Sequence, residues 1–374
     1  MLNLENLESY TQSFGKTHIL PITEDVDKTG RFPKEAYDEL RKQGYMGLLV
    51  SKGYGGLGGG DKEHAIACYN LAQFDASSAL CYMMHNTAVA CLEAFGSEEL
   101  KKEFLPKIAK GEIALALAYS ESSSGTHFNL PDIIEEERNG KRILKGRKSF
   151  VTSAQNADYY LTYTNSCKVK GGKNNWLVSK DSPNLIHEEG VWDGLGMRGN
   201  SSKPVQYNGV ELEDKYLVGK EGDGENQAGL VAMIFVTGLG AVYSGLGKAA
   251  YDCVLNHCKN RTYTDGKSLA DIEMVRIHLA EIYTKVQSSF ALVQEAARSF
   301  DAKENDFASK IFACRINATY NVMEACTLAM KLGGGKAYSK LLPLERYLRD
   351  SLASQVMAPS LDVLKVWLGE AIVK

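Results

Sequence analysis

The chain has almost no net charge: 43 Lys and Arg against 46 Asp and Glu leave −3 over 374 residues. That balance gives no electrostatic ground for nucleic acid or an anionic membrane as partner. The eight cysteines contain no C-x-x-C and the seven histidines no H-x-x-x-H, so a metal site is not expected. The N-terminus, M-L-N-L-E-N-L-E-S-Y, carries acids where a secretory signal needs a basic and then an apolar region. The expected setting is the cytoplasm, with reduced core thiols. No apolar run is expected to approach the roughly 20 residues that span a bilayer.

What is present is an ordinary globular composition, 44% apolar and 24% charged. The length suits roughly two or three domains. Residues 1–113 read as helices joined by glycine turns. Pro33 opens a helix to about Gln43, where Gly44 supplies a left-handed stop. Helices follow at about 61–75 and 77–95, the second carrying Met83, Met84 and His85. Ser97 caps S-E-E-L-K-K-E-F, with acids in its first turn.

From about 114 the apolar period becomes two. Asn139-Gly140 between I-I-E-E-E-R and K-R-I-L-K-G signals a type I′ hairpin. Strands are expected at Ser149–Thr152, Tyr159–Thr164, Asn175–Val178, Val205–Val210 and near Val218, making residues 114–224 a small barrel or sandwich. Residues 225–374 turn helical again. A long helix over 226–260 precedes two apolar stripes: Val275, Leu279, Ile282, Val286, Phe290, Val293, then Phe312, Ile316, Thr319, Met323, Cys326, Met330. Gly333-Gly334-Gly335 is expected to stop the second. Two last helices, about 343–356 and 360–372, complete a four-helix bundle. The class is α+β, mostly α, in the order helical, β, helical.

One loop at the first junction concentrates donors. Leu117 to Asn129 reads L-A-Y-S-E-S-S-S-G-T-H-F-N, with Tyr119, five serine or threonine hydroxyls before His127, and Gly125 in a turn. Alone, such a loop is read as a turn. Further motifs change that. Phe32-Pro33 with Gly53 to Gly58, Tyr119 to His127, Gly146-x-Lys148-Ser-Phe150-Val-Thr152-Ser-Ala154, Gly196-Met197-Arg198-Gly199, Asn260-Arg261 with Gly266, and Leu332-Gly333-Gly334 with Pro343-Leu344-Glu345-Arg346 and Arg349-Asp350 run in order along the chain. Together they resemble the acyl-CoA dehydrogenase family of flavoproteins.

The resemblance implies FAD at the junction of the three domains, an acyl thioester on CoA or a carrier protein as substrate, and a tetramer or dimer. An electron-transfer or flavin-reductase partner is a further expectation. It assigns Tyr119, Ser120, Gly125, Phe150 and Thr152 to the flavin ring and its loop, and Thr126 to the pyrophosphate. Arg261, Thr262, Thr264 and Leu332 to Gly334 would reach a neighbouring subunit's FAD; Ser360 and Asp362, opening the last helix, would add a contact.

The chain departs from the family where the proton is removed. Counting from Arg349-Asp350 puts Ala358 where most members hold a glutamate, and counting back from Arg261 puts Phe235 and Val236 at the other known place. A missing general base typically costs on the order of 10²–10⁴-fold. Three readings follow: a thioester oxidoreductase with a relocated base (Tyr243, Tyr119, His85 or His127), a flavin monooxygenase on the same fold, or a base-free member retaining FAD.

Overall fold

The computed structural model describes residues 2–127 and 130–373. The helices α1 (Leu7–Phe14), α2 (Thr23–Thr29), α3 (Lys34–Lys42), α4 (Asp61–Ala72), α5 (Ala76–Phe95) and α6 (Glu98–Ala109) form the first layer. Their ends follow local chemistry. Gly44 lies at φ +84° just beyond α3, and the Ser97 hydroxyl accepts the Leu100 N–H at 3.2 Å at the start of α6.

Eight strands follow: β1 (Leu115–Ala118), β2 (Ile134–Arg138), β3 (Lys141–Val151), β4 (Tyr159–Asn165), β5 (Lys173–Ser179), β6 (Leu185–His187), β7 (Lys203–Leu212) and β8 (Leu217–Val218). Their order in the sheet is β6-β7-β3-β2-β4-β5-β8, with β1 parallel to β4. Asn139 and Gly140 turn β2 into β3 at φ +55° and +73°, the type I′ signature. Ser149 to Val151 is the end of the long β3 and not a strand of its own. The inner strands have two buried faces. Ala116, Tyr160, Trp176 and Val178 face the sheet's own core, while Leu115, Leu117, Leu161, Tyr163 and Leu177 join the helical core.

The last layer is α7 (Gly224–Asn260), α8 (Glu273–Asp301), α9 (Phe307–Tyr338), α10 (Leu344–Val356) and α11 (Leu361–Ile372). The glycine run does not simply end α9. Gly334 breaks the helix at φ +53°, ψ −138°, and one more turn runs to Tyr338. The α9 stripe is also shifted. Ile311, Ala318, Val322, Ala325 and Ala329 lie deepest, while Ile316, Met323 and Met330 are half-buried. Small side chains there let α9 approach α7 closely.

The expectation about apolar runs needs correcting. Within α7, Ala228 to Gly247 carries no charge, and the helix is long and apolar enough to cross a membrane. Its most apolar window is 83% buried inside the protein, so α7 is the central core helix. Gly245 is required there, because a Cβ would sit 2.3 Å from the Tyr69 carbonyl oxygen of α4.

Candidate active site at the three-domain junction

A cleft of about 510 Å³ opens where the three layers meet. Met84 of α5, Leu117 of β1, the loop Tyr119 to Thr126, Phe150 at the end of β3 and Thr152 just after it, the segment Trp192 to Ser202, Val231 and Phe235 of α7, and Ala353 to Ala358 at the end of α10 all line it. One wall is polar and neutral. The Thr152 and Ser202 hydroxyls are 2.9 Å apart, and Asn200 Oδ1 accepts the Ser202 N–H at 3.0 Å. The other wall is apolar, with Val231, Phe235, Val356, Met357 and the Ala358 methyl.

The cleft loop is held by a buried ion pair. Lys148 Nζ donates to Glu121 Oε1 at 2.5 Å and to the carbonyls of Tyr119 and Tyr163, while Glu121 Oε2 accepts the N–H groups of Asp132 and Ile133. Burial lowers the Lys148 ammonium to about 8, opposed by the neighbouring Glu121. Glu121 is the acid among the described lining residues, and its carboxylate is committed to this cluster. Thr126 closes the loop onto the last helix, its hydroxyl accepting the Ser360 N–H at 2.7 Å.

Several assigned residues therefore meet: Tyr119, Ser120, Gly125, Thr126, Phe150, Thr152 and Ala358 all line the cleft. Tyr119 contributes backbone, because its hydroxyl donates to Asn175 Oδ1 at 2.8 Å and its ring stacks on Tyr163. Phe150 is 58% exposed and packs edge-on against Trp192. Ser360 joins through the bond to Thr126, whereas Asp362 is exposed and paired with Lys365. Arg261, Thr262 and Thr264 are exposed in a loop beyond α7, and Leu332 to Gly334 sit at the break of α9. None of these six lines the cleft.

The proposed bases fare unevenly. His85 is a correction: both ring nitrogens are spent on backbone, Nε2 on the Met46 carbonyl and Nδ1 on the Leu115 N–H, each at 3.0 Å. Burial depresses it to about 4, so it is a neutral core histidine. Its neighbour Met84 lines the cleft instead. His127 is exposed. Tyr119 is correct as a lining residue but unsuited as a base, since burial holds its phenol well above the ordinary range. Tyr243 lies one layer behind the wall, its hydroxyl 3.8 Å from Met357 Sδ, with burial pushing it up to about 12. Trp192, Asn200 and Ser202 were not singled out from sequence, though Asn200 directly follows the Gly196 to Gly199 motif.

A mostly apolar cleft between three domains, with a rim of neutral donors, defines a site for a flat ligand with a hydrogen-bonding edge. The acyl-CoA dehydrogenase N-terminal, middle and C-terminal domain profiles match residues 3–112, 116–210 and 237–372. The chain belongs to this family of FAD-dependent oxidoreductases. It is 26% identical to the acryloyl-CoA reductase (NADH) of Anaerotignum propionicum over 374 residues, covering 99% of this chain and 94% of that protein. Its fold matches butyryl-CoA dehydrogenase from Megasphaera elsdenii at a TM-score of 0.93 and 23% identity, covering 99% and 98% of the two chains. The prolyl acyl carrier protein oxidase AnaB matches at 0.89 and 19%, again covering 99% and 98%.

The lining suits the family's cofactor. A flat ring needs apolar faces, which Phe150, Trp192 and Met197 offer, and donors along one edge, which Ser120, Thr152 and Ser202 offer. The Trp192 indole N–H is buried without a partner among the described residues, a donor left for a bound group.

Proposed function

We propose that this protein is a cytoplasmic FAD-dependent oxidoreductase acting on an acyl thioester, without a carboxylate base at the family position. One observation carries the reading: the cleft sets neutral donors against an apolar wall that ends in the Ala358 methyl, while Glu121 is tied to Lys148.

Bound FAD supplies a two-electron acceptor or donor for hydride. Ser120, Thr152 and Ser202 orient its hydrogen-bonding edge and stabilise charge that develops there. Phe150 and Trp192 would hold the apolar face of the bound ring, and Val231, Phe235 and Met357 would exclude water from the acyl chain. The proteins alike to this chain include a CoA reductase, a CoA dehydrogenase and a carrier-protein oxidase by name, so direction and carrier are both open to this site. The exposed Arg261 loop and the α9 break are the surfaces through which a second copy would complete a homo-oligomer.

The purified protein should be yellow, with about one FAD per chain, and should bleach when an acyl-CoA or acyl-carrier thioester is added without oxygen. Turnover only with a separate reductase and oxygen would replace this reading with flavin monooxygenation. Stoichiometric FAD with no spectral response to any thioester would replace it with a base-free role for the cofactor.

A further inference from the structure

Behind the apolar wall, three helices each bury a polar side chain short of partners. Arg315 of α9 is fully buried. Its Nη2 donates to the Ser354 carbonyl at 2.7 Å, its Nη1 to the Thr319 hydroxyl, and its Cζ stands 4.7 Å over the Tyr243 ring. Its Nε has no acceptor, and no carboxylate among the described residues acts on its charge. The Ser354 hydroxyl of α10, equally buried, has no partner among the described residues either. The Tyr243 hydroxyl of α7 meets a thioether alone. Three donors and one uncompensated positive charge thus gather between three helices.

Fastening the last turn of α10 explains part of this. A helix C-terminus favours a cation, and Arg315 holds the Ser354 carbonyl. That task needs one donor. A guanidinium buried without a counter-charge costs several kcal/mol, and a neutral side chain would hold the same carbonyl. The nearest acid on α10 is Asp350, one turn earlier. Its carboxyl accepts the Met197 N–H at 2.6 Å and feels Arg346; it acts on the Tyr243 phenol but is not among the groups that act on Arg315.

The position of the cluster supplies the rest. Met357, whose sulfur covers the Tyr243 hydroxyl, is itself part of the cleft wall, as is Ala353 beside Ser354. A methionine side chain is unbranched and turns aside readily. We propose that Arg315, Tyr243 and Ser354 form an anion pocket at the inner end of the cleft, opened by Met357, which takes the terminal carboxylate of an ω-carboxyacyl thioester. This rests on the acyl-thioester reading above and names its substrate class. A carboxylate offers two oxygens with about four acceptor sites, which three donors and a cation can fill.

The test is calorimetric binding to the FAD-loaded protein. Succinyl-, glutaryl- and adipyl-CoA are each compared with the plain acyl-CoA of equal carbon number. At least one carboxylated member should bind about tenfold tighter or better than its plain counterpart, because a buried site built for a polar group rejects the analogue lacking it. Arg315→Met should abolish that preference and Tyr243→Phe should reduce it severalfold. Equal or weaker binding of every carboxylated thioester, or a preference surviving Arg315→Met, overturns the proposal. Should Arg315→Met fail to fold, Tyr243→Phe decides, since it keeps the ring stacked on the guanidinium. If no thioester binds, free glutarate separates the two readings. Thermal stabilisation of the wild type that is diminished in Tyr243→Phe upholds the pocket and sinks the thioester assignment; no stabilisation sinks both.

Discussion

At the scale of single residues, adjacent positions with similar prospects part company. His85 is chemically the more suggestive of the Met84-His85 pair, yet it faces inward and ties α5 to β1 and to the segment after α3. His85→Leu would leave the Leu115 N–H and Met46 carbonyl unsatisfied, a loss of about 2–5 kcal/mol. The sign of its pH effect follows from a base depressed on folding. The unfolded imidazole takes its proton near 6.5, the folded one only near 4. The unfolded state therefore binds more protons between those values. The wild type should keep its full stability above about pH 6.5 and lose roughly 3 kcal/mol as pH falls towards 4. Urea midpoints at pH 5 and 7.5 would show a drop in the wild type that His85→Leu does not share.

At the scale of elements, the legible parts are those whose signal is local. The Asn139-Gly140 turn and the Ser97 cap need only their own neighbours, and they stand where the pattern puts them. β1 buries all four residues, so it shows no alternation, and β6 is three residues at a sheet edge. The break in α9 was readable as glycine, but not the turn that resumes after it. The cleft loop depends on a contact between distant segments that no motif states. Lys148→Met would strand the Glu121 carboxylate in the interior, costing about 3–5 kcal/mol. Pairing it with Glu121→Gln should recover most of that loss. A double-mutant cycle by denaturant unfolding measures the coupling, and additive losses would show that the pair does not hold the loop.

At the scale of the molecule, the order of three layers was legible because six motifs keep their sequence along the whole chain. The wall behind Met357 was not. Arg315 sits in an apolar helical stripe, where sequence offers no sign that a cation faces inward without a carboxylate beside it. Assembly belongs to this scale as well. The Arg261 side chain is exposed over the Tyr263 ring, far along α7 from the lining residue Phe235. Arg261→Ala is expected to lower FAD content per chain and shift the mass in sedimentation towards smaller species. Unchanged flavin content would mean that this loop completes no neighbour's site.

The uncharged middle of α7 has a consequence for how the chain is made. The ribosome releases that segment before α8 and α9 exist to cover it, and by composition it can be taken for a bilayer anchor. The nascent protein is thus exposed to mistaken insertion or clumping until its last third emerges. Lys248 and Lys259, which follow the apolar run, add to that likeness, because lysines commonly flank bilayer anchors on one side.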